Sequence, residues 1–281
     1  MKILKSVTFW GPIVLILLLT IFVTFEQESS LLKTVLSVAT FLFGIFVSFS
    51  ISDRHGRVNR IRENDSIERS QLIMLHLLSK SIGPEFNKKM LDSIDQYLMA
   101  TFDYKIWDYY KTQENFEKLA DTAIGFEFVG EKQKALFSKM LDGINEIGKS
   151  RKQTIAIIDD KLSVFEWSTI SSLATIIFLA VLSLNSGTPI SYVVISILLT
   201  TIFLLISLLY RFDNLSWKEN EKIFEPYQKT FDAIGLPRYY IAELVRQDRM
   251  HPPKNVTYRS ADWPNPYPDL SGKKIDLKID K

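Results

Sequence analysis

The chain has no cysteine in 281 residues. That excludes disulfide staples, thiolate nucleophiles and cysteine-based zinc or iron–sulfur centres, and leaves the redox compartment open. Histidine is nearly as scarce. His55, His76 and His251 stand far apart, without the close spacing of metal ligands. His55 reads as part of a basic cluster and His76 as one position on a helix face. There is no P-loop, no G-x-G-x-x-G and no G-x-S-x-G, so no phosphate cradle or nucleophile elbow is present. Asp121, Asp159 and Asp160 read as solvated helix charges. The residues assign no catalytic group, no metal ligand and no cofactor.

Charge is also missing, but only locally. Residues 167–210 contain no Asp, Glu, Lys or Arg in a chain that is 23% charged. A hydrocarbon core about 30 Å thick takes roughly 20 apolar residues at 1.5 Å each. The stretch therefore suffices for two crossings, 167–184 and 190–210, with Asn185-Ser186-Gly187-Thr188-Pro189 as the turn. Residues 7–25 and 34–52 repeat the pattern around Glu26-Gln27-Glu28-Ser29-Ser30. Lys2 and Lys5 precede the first run as in a secretory signal. However, that run exceeds a typical signal core and ends at Thr24-Phe25-Glu26 without a small-x-small cleavage site, so it is read as an uncleaved span. None of the four spans carries an ionisable residue at mid-depth. That argues against a proton-driven carrier and leaves room for a pore gated by apolar side chains.

The basic residues give the orientation. Lys2 and Lys5 precede span one, and Arg54, Arg57, Arg60 and Arg62 follow span two. Lys149, Arg151, Lys152 and Lys161 precede span three, and Arg211, Lys218 and Lys222 follow span four. The two short connections carry no basic residue apart from Lys33, whose stem can snorkel outward. The positive-inside rule then places both termini and the middle segment in the cytoplasm, with the chain in the inner membrane. Trp10, Trp167, Tyr192 and Tyr210 sit where an aromatic belt would. Basic residues near the membrane already have a role in topology and lipid contact, so no nucleic acid is called for.

The expected fold is an all-α membrane protein with four transmembrane helices in two hairpins and long cytosolic helical extensions. Its parts are a first hairpin over 1–52, a cytosolic helical region over 53–164, a second hairpin over 165–210, cytosolic helices over 211–250 and an extended proline-rich tail over 251–281. Residues 57–82 continue span two as a helix, with Leu72, Leu75, Leu78 and Ile82 at helical spacing. Gly83-Pro84 stops it. A helix over 85–110 presents Phe86, Met90, Ile94, Tyr97 and Leu98, and a shorter one covers 114–124. Leu136, Met140, Ile144, Ile147, Ile155, Ile158 and Leu162 then step by threes and fours. With no proline to break it, this helix is expected to feed directly into span three, giving some 50 residues or about 75 Å. Arg151 fills the one gap in its stripe. Either Arg151 is buried with a partner, for which Glu68 is the leading candidate, or its stem packs while its head reaches water.

After an amphipathic stretch over 217–231 and a stop at Gly235-Leu236-Pro237, residues 239–245 read as a short helix. The tail should be extended and without its own core. Only 274–280 alternates, weakly, with period two. Tyr258, Trp263 and Tyr267 are unusual in a solvated tail. Docking along the cytosolic bundle and docking onto a neighbouring subunit both account for them. In span two, Phe41, Ile45 and Phe49 share one face four residues apart. That face either lines a pore or packs against lipid or a neighbouring span.

The order of these features resembles a known family. Two short-looped hairpins bracket a cytosolic helical segment. A span containing Phe43-Gly44 runs into Asp53-Arg54-His55-Gly56-Arg57-Val58-Asn59-Arg60, then Ile67-Glu68-Arg69-Ser70-Gln71-Leu72, then Gly83-Pro84. Trp107 closes the next helix, Arg151 precedes span three and Trp167 opens it. Over roughly 1–240 this resembles the prokaryotic bestrophin-like family and, more distantly, the bestrophin chloride channels. The Arg-Phe-Pro signature of the latter is absent, and no acidic cluster suggests a calcium clasp. The resemblance implies a pentameric anion channel. Phe41, Ile45 and Phe49 would then form the pore neck, and Glu68 and Arg151 would be characteristic polar positions on the extended helices. Two readings stand: an oligomeric anion channel in the lipid bilayer, or a non-conducting membrane scaffold or sensor whose cytosolic bundle binds a partner.

Overall fold

The computed structural model describes residue 15 and residues 30–126, 131–216 and 221–279, with side chains left out at 132 and 221–223. Span one falls outside this set except for residue 15. Three described helices are long and apolar enough to cross a membrane. The chain divides into two compact units, one of residues 1–58 and 161–214, the other of 59–160 and 215–281.

The first unit holds the apolar helices. Helix α1, Ser30–Ile82, supplies its N-terminal part. Helices α5, Val164–Ser183, and α6, Pro189–Asp213, supply the rest. Their shared core contains Ala39, Phe43, Val47, Ile170, Ile177, Val181, Ile195 and Leu199. Between α5 and α6, Gly187 takes φ 71°, a value glycine adopts without cost. Thr188 caps α6 by accepting from Ser191 N at 3.2 Å, with Pro189 in the first turn.

The second unit is built on the remainder of α1. Gly83 ends α1, and α2, Pro84–Asp103, starts with its proline in the first turn. A 3-10 turn, Ile106–Thr112, leads to α3, Gln113–Ile124. Helix α4, Glu131–Asp159, packs on α1. A Cβ on Gly143 of α4 would lie 3.3 Å from Gln71 Oε1 and 3.5 Å from Leu75 Cδ2, so the absent side chain permits close approach. Leu72, Leu75, Phe86, Met90, Ile94, Met140 and Ile147 are buried together.

Two expectations about the helices are corrected first. The helix leading to span three is not continuous. Helix α4 ends at Asp159, and Ser163 starts α5 with a capping box: its hydroxyl accepts from Glu166 N, while the Glu166 carboxylate accepts from Ser163 N at 2.7 Å. Two orphan amides are satisfied, which makes an interruption favourable without proline or glycine. The 85–110 helix stops at Asp103, and its aromatic end becomes the 3-10 turn.

The fold is mostly helical but not all-α. After α7, Glu221–Ile234, the chain turns at Gly235 (φ 77°), where Leu236 N donates to Phe231 O at 2.9 Å and Gly235 N to Asp232 O at 3.1 Å. It then forms β1, Tyr239–Ile241, where a helix was expected, and the short helix α8, Ala242–Arg246. Strands β2, Thr257–Asp262, and β3, Lys274–Ile279, complete a sheet of order β1-β2-β3, parallel then antiparallel. The Gln228 side chain accepts from Tyr239 N at 3.0 Å and donates to Tyr239 O, pairing β1 to a helix as a strand would.

The tail thus has buried residues of its own, Tyr258, Ser260 and Ala261. It docks on the helices of its own unit. Arg259 Nη1 donates to Asp95 Oδ2 at 2.6 Å, and Lys273 Nζ and Tyr239 Oη each donate to Asp103 at 2.6 Å.

Candidate functional site

Three arrangements are candidates for function, each within one unit. The first is the outward face of α1. Phe41, Ile45 and Phe49 are 67%, 38% and 74% exposed, and Leu42 and Phe46 beside them are exposed as well. Ala39, Phe43 and Val47, on the opposite side, are buried against α5 and α6. A 100° step per residue puts the two triplets on different faces. The helix therefore holds one apolar face in its unit and presents a second, aromatic one outward.

The second arrangement is a knot of charge at the end of α6. Asp213 is buried, with Arg54 and Arg57 buried beside it. Its Oδ1 accepts from Leu162 N at 2.8 Å and lies 3.7 Å from Arg54 Nη1. Its Oδ2 accepts from Trp167 Nε1 at 3.2 Å, and its backbone oxygen accepts from Arg57 Nη1 at 2.7 Å. The guanidinium thus meets a terminal helix carbonyl that has no partner within the helix, at the negative end of the dipole. One aspartate ties α1, α5 and α6 together. The signal available in the sequence is an aspartate just after a charge-free span, in a chain whose second span ends in several arginines.

The third arrangement contains Glu68 and Arg151. Both are almost wholly buried, so the reading with a solvated Arg151 head does not describe this chain. They make no direct ion pair. Arg151 Nη1 donates to the Tyr97 hydroxyl at 2.6 Å and to Thr112 Oγ1 at 2.8 Å, and Nη2 donates to Gln113 Oε1 at 3.3 Å. The Tyr109 hydroxyl donates to Glu68 Oε2 at 2.6 Å and lies 3.4 Å from that of Tyr97. Two tyrosines therefore stand between the charges, with the Tyr109 hydroxyl donating to the carboxylate and the Tyr97 hydroxyl accepting from the guanidinium. The rings of Tyr97, Tyr109 and Phe116 surround the guanidinium with centroids 5.0–5.2 Å from Cζ. Weakly hydrated guanidinium tolerates such aromatic boxing.

Burial, reinforced by Asp65, raises the Glu68 carboxyl above its ordinary value against the opposing pull of Tyr109 and Arg151. Burial, followed by the Glu68 charge, also raises the hydroxyls of Tyr97 and Tyr109 well above theirs, so both remain donors. Among the described residues Glu68 Oε1 has no hydrogen-bond partner. The raised folded-state value means that the native protein binds this proton more tightly than the unfolded chain. The Glu68 contribution is most favourable below the ordinary glutamate value and is lost as pH rises through the folded value. Glu68→Gln keeps the acceptor for Tyr109 and removes the titration. Its melting temperature relative to wild type should therefore rise with pH across that window; a constant difference across the titration would contradict the assignment.

Among the described residues, no group of three or more His, Asp or Glu side chains is placed to hold a metal ion. His76 is buried with neither ring nitrogen hydrogen-bonded among the described residues, and His55 lies edge-on to Phe212 at 5.7 Å. What this chain offers is an outward apolar helix face and two buried polar knots. A model of the Bestrophin-like domain family matches residues 14–214. Neither a curated protein nor a solved structure matches the chain.

Proposed function

The chain belongs to the Bestrophin-like family, and from that premise we propose that it is an oligomeric anion channel with a neck lined by α1. The observation that carries this is the exposure of Phe41, Ile45 and Phe49 opposite the buried Ala39, Phe43 and Val47. A span with two apolar faces, one used inside its own unit, has the other free for an axis shared by several copies. Five copies is the number implied by bestrophins. The strip from Phe41 to Phe49 is about 12 Å long at 1.5 Å per residue. A ring of such strips makes a dry constriction that excludes ions until it wets.

In liposomes, Ile45→Ala and Phe49→Ala should raise chloride flux over wild type by roughly tenfold, because shortening one ring of side chains admits water. Leu198→Ala and Leu205→Ala on α6 should leave flux unchanged. Absence of flux in every variant, with the protein running as a monomer or dimer in detergent, would remove the channel reading and leave the scaffold. The proposed orientation has both termini and residues 53–164 on the cytoplasmic side, as the basic span ends direct. A reporter fused at Ser186 should then read outside, and one near Gly130 inside; an outside signal near Gly130 would overturn it.

A further inference from the structure

Strand β3 is unusual for an edge strand. All six of its residues are exposed, and β2 is its only neighbour among the described residues. Ile275, Leu277 and Ile279 are 42%, 68% and 59% exposed and lie on one face, by alternation, with Lys274, Asp276 and Lys278 on the other. Natural proteins blunt such edges with charged side chains, lysine above all, with proline or with bulges. Here the charges alternate in sign, and no proline falls within the strand.

The sequence Lys274-Ile275-Asp276-Leu277-Lys278-Ile279-Asp280 is self-complementary when read against its own reverse. About Leu277, Lys274 meets Asp280, Ile275 meets Ile279, Asp276 meets Lys278, and Leu277 meets itself. Asp280 lies outside the described residues and enters through the sequence alone. Centring the pairing on Asp276 or Lys278 instead opposes like charges, which destabilises a strand pair. Two copies can meet through the same free edge with like faces aligned only when the strands run antiparallel, since a parallel approach turns one sheet over. Centring on Ile275 or Ile279 sets Leu277 against Lys273 or Lys281, so the register about Leu277 is the one in which every opposed pair is apolar or of opposite charge.

We propose that β3 pairs antiparallel with β3 of a second copy of this chain, about a two-fold axis at Leu277, extending the sheet across both. Such a contact is isologous and closes at two chains. It is therefore separate from any ring that surrounds a pore, and it holds whether or not the chain conducts.

The absence of cysteine from the whole sequence makes the test direct. Directly opposed residues of an antiparallel pair have Cα atoms about 4.5–5.5 Å apart, inside the disulfide range. The full-length protein in detergent carries Leu277→Cys, and mild oxidation is followed by non-reducing denaturing gels. Pairing should hold the sulfurs at high effective concentration, giving covalent dimer about tenfold faster than the exposed control Lys89→Cys. Ile275→Cys and Ile279→Cys should cross-link when mixed, and neither alone. Lys278→Asp should suppress the Leu277→Cys dimer, and adding Asp276→Lys should restore it. A Leu277→Cys dimer no faster than the control, or Ile275→Cys cross-linking to itself as fast, would overturn the pairing.

Discussion

Arg151→Ala should cost about 3–5 kcal/mol of stability, the range for breaking a buried charge network on one side. For a chain of this size that is a fall of roughly 10 °C in melting temperature. The cost has three sources. The guanidinium donates to Tyr97, Thr112 and Gln113, and each loses that donor. The three rings around it lose the group they enclose. The Glu68 carboxylate loses the nearby positive charge that opposes its burial. Lys161→Ala provides the comparison, because Lys161 is exposed and its loss should fall within about 0.5 kcal/mol. Arg151→Lys should recover little, since an ammonium reproduces neither the fork of donors nor the stacking. Tyr109→Phe should lie between, at about 1–3 kcal/mol, because it leaves Glu68 Oε2 without its donor. Equal and small effects from Arg151→Ala and Lys161→Ala would mean that the network does not hold this unit together.

Asp213→Ala should have a comparable effect in the other unit, again about 3–5 kcal/mol. The substitution strands the buried amide of Leu162 and the indole of Trp167, and takes from Arg54 a carboxylate at 3.7 Å. Asp213→Asn is the informative partner. It retains one acceptor oxygen, so it should keep part of the hydrogen bonding while losing the charge. If Asn restores most of the loss, the amide and indole bonds dominate; if it behaves as Ala, the arginines do. The measurement is thermal unfolding of the detergent-solubilised protein. An Asp213→Ala protein as stable as wild type would show that the knot contributes nothing to the fold.

The parts of the fold legible in the sequence are those governed by local chemistry. A stretch without charge reads as an apolar helix because burial of a single ion there is costly. Gly83-Pro84 reads as a boundary because proline fits a first helical turn and not an interior. The stripe from Leu136 to Ile158 placed Arg151 on the packed face of its helix and left open whether its head is buried, which it is. The capping box at Ser163 and Glu166 is equally local, but the apolar stripe running up to it reads as one continuous helix.

The rest is non-local. Strand β2 reads Thr-Tyr-Arg-Ser-Ala-Asp, without the alternation that marks a strand, and it forms because β1 and β3 supply partners on both sides. Arg151 meets Tyr97 from 54 residues away, and Arg57 meets Asp213 from 156. No pattern in either segment names the other, because a buried polar group accepts any donor or acceptor that the packing delivers. The sequence by itself determined where the apolar helices lie and which charged residues would need partners. Only the tertiary structure decided that a pair of tyrosines, and not a direct ion pair, connects Glu68 to Arg151, since partner identity depends on which helix faces close together around the site.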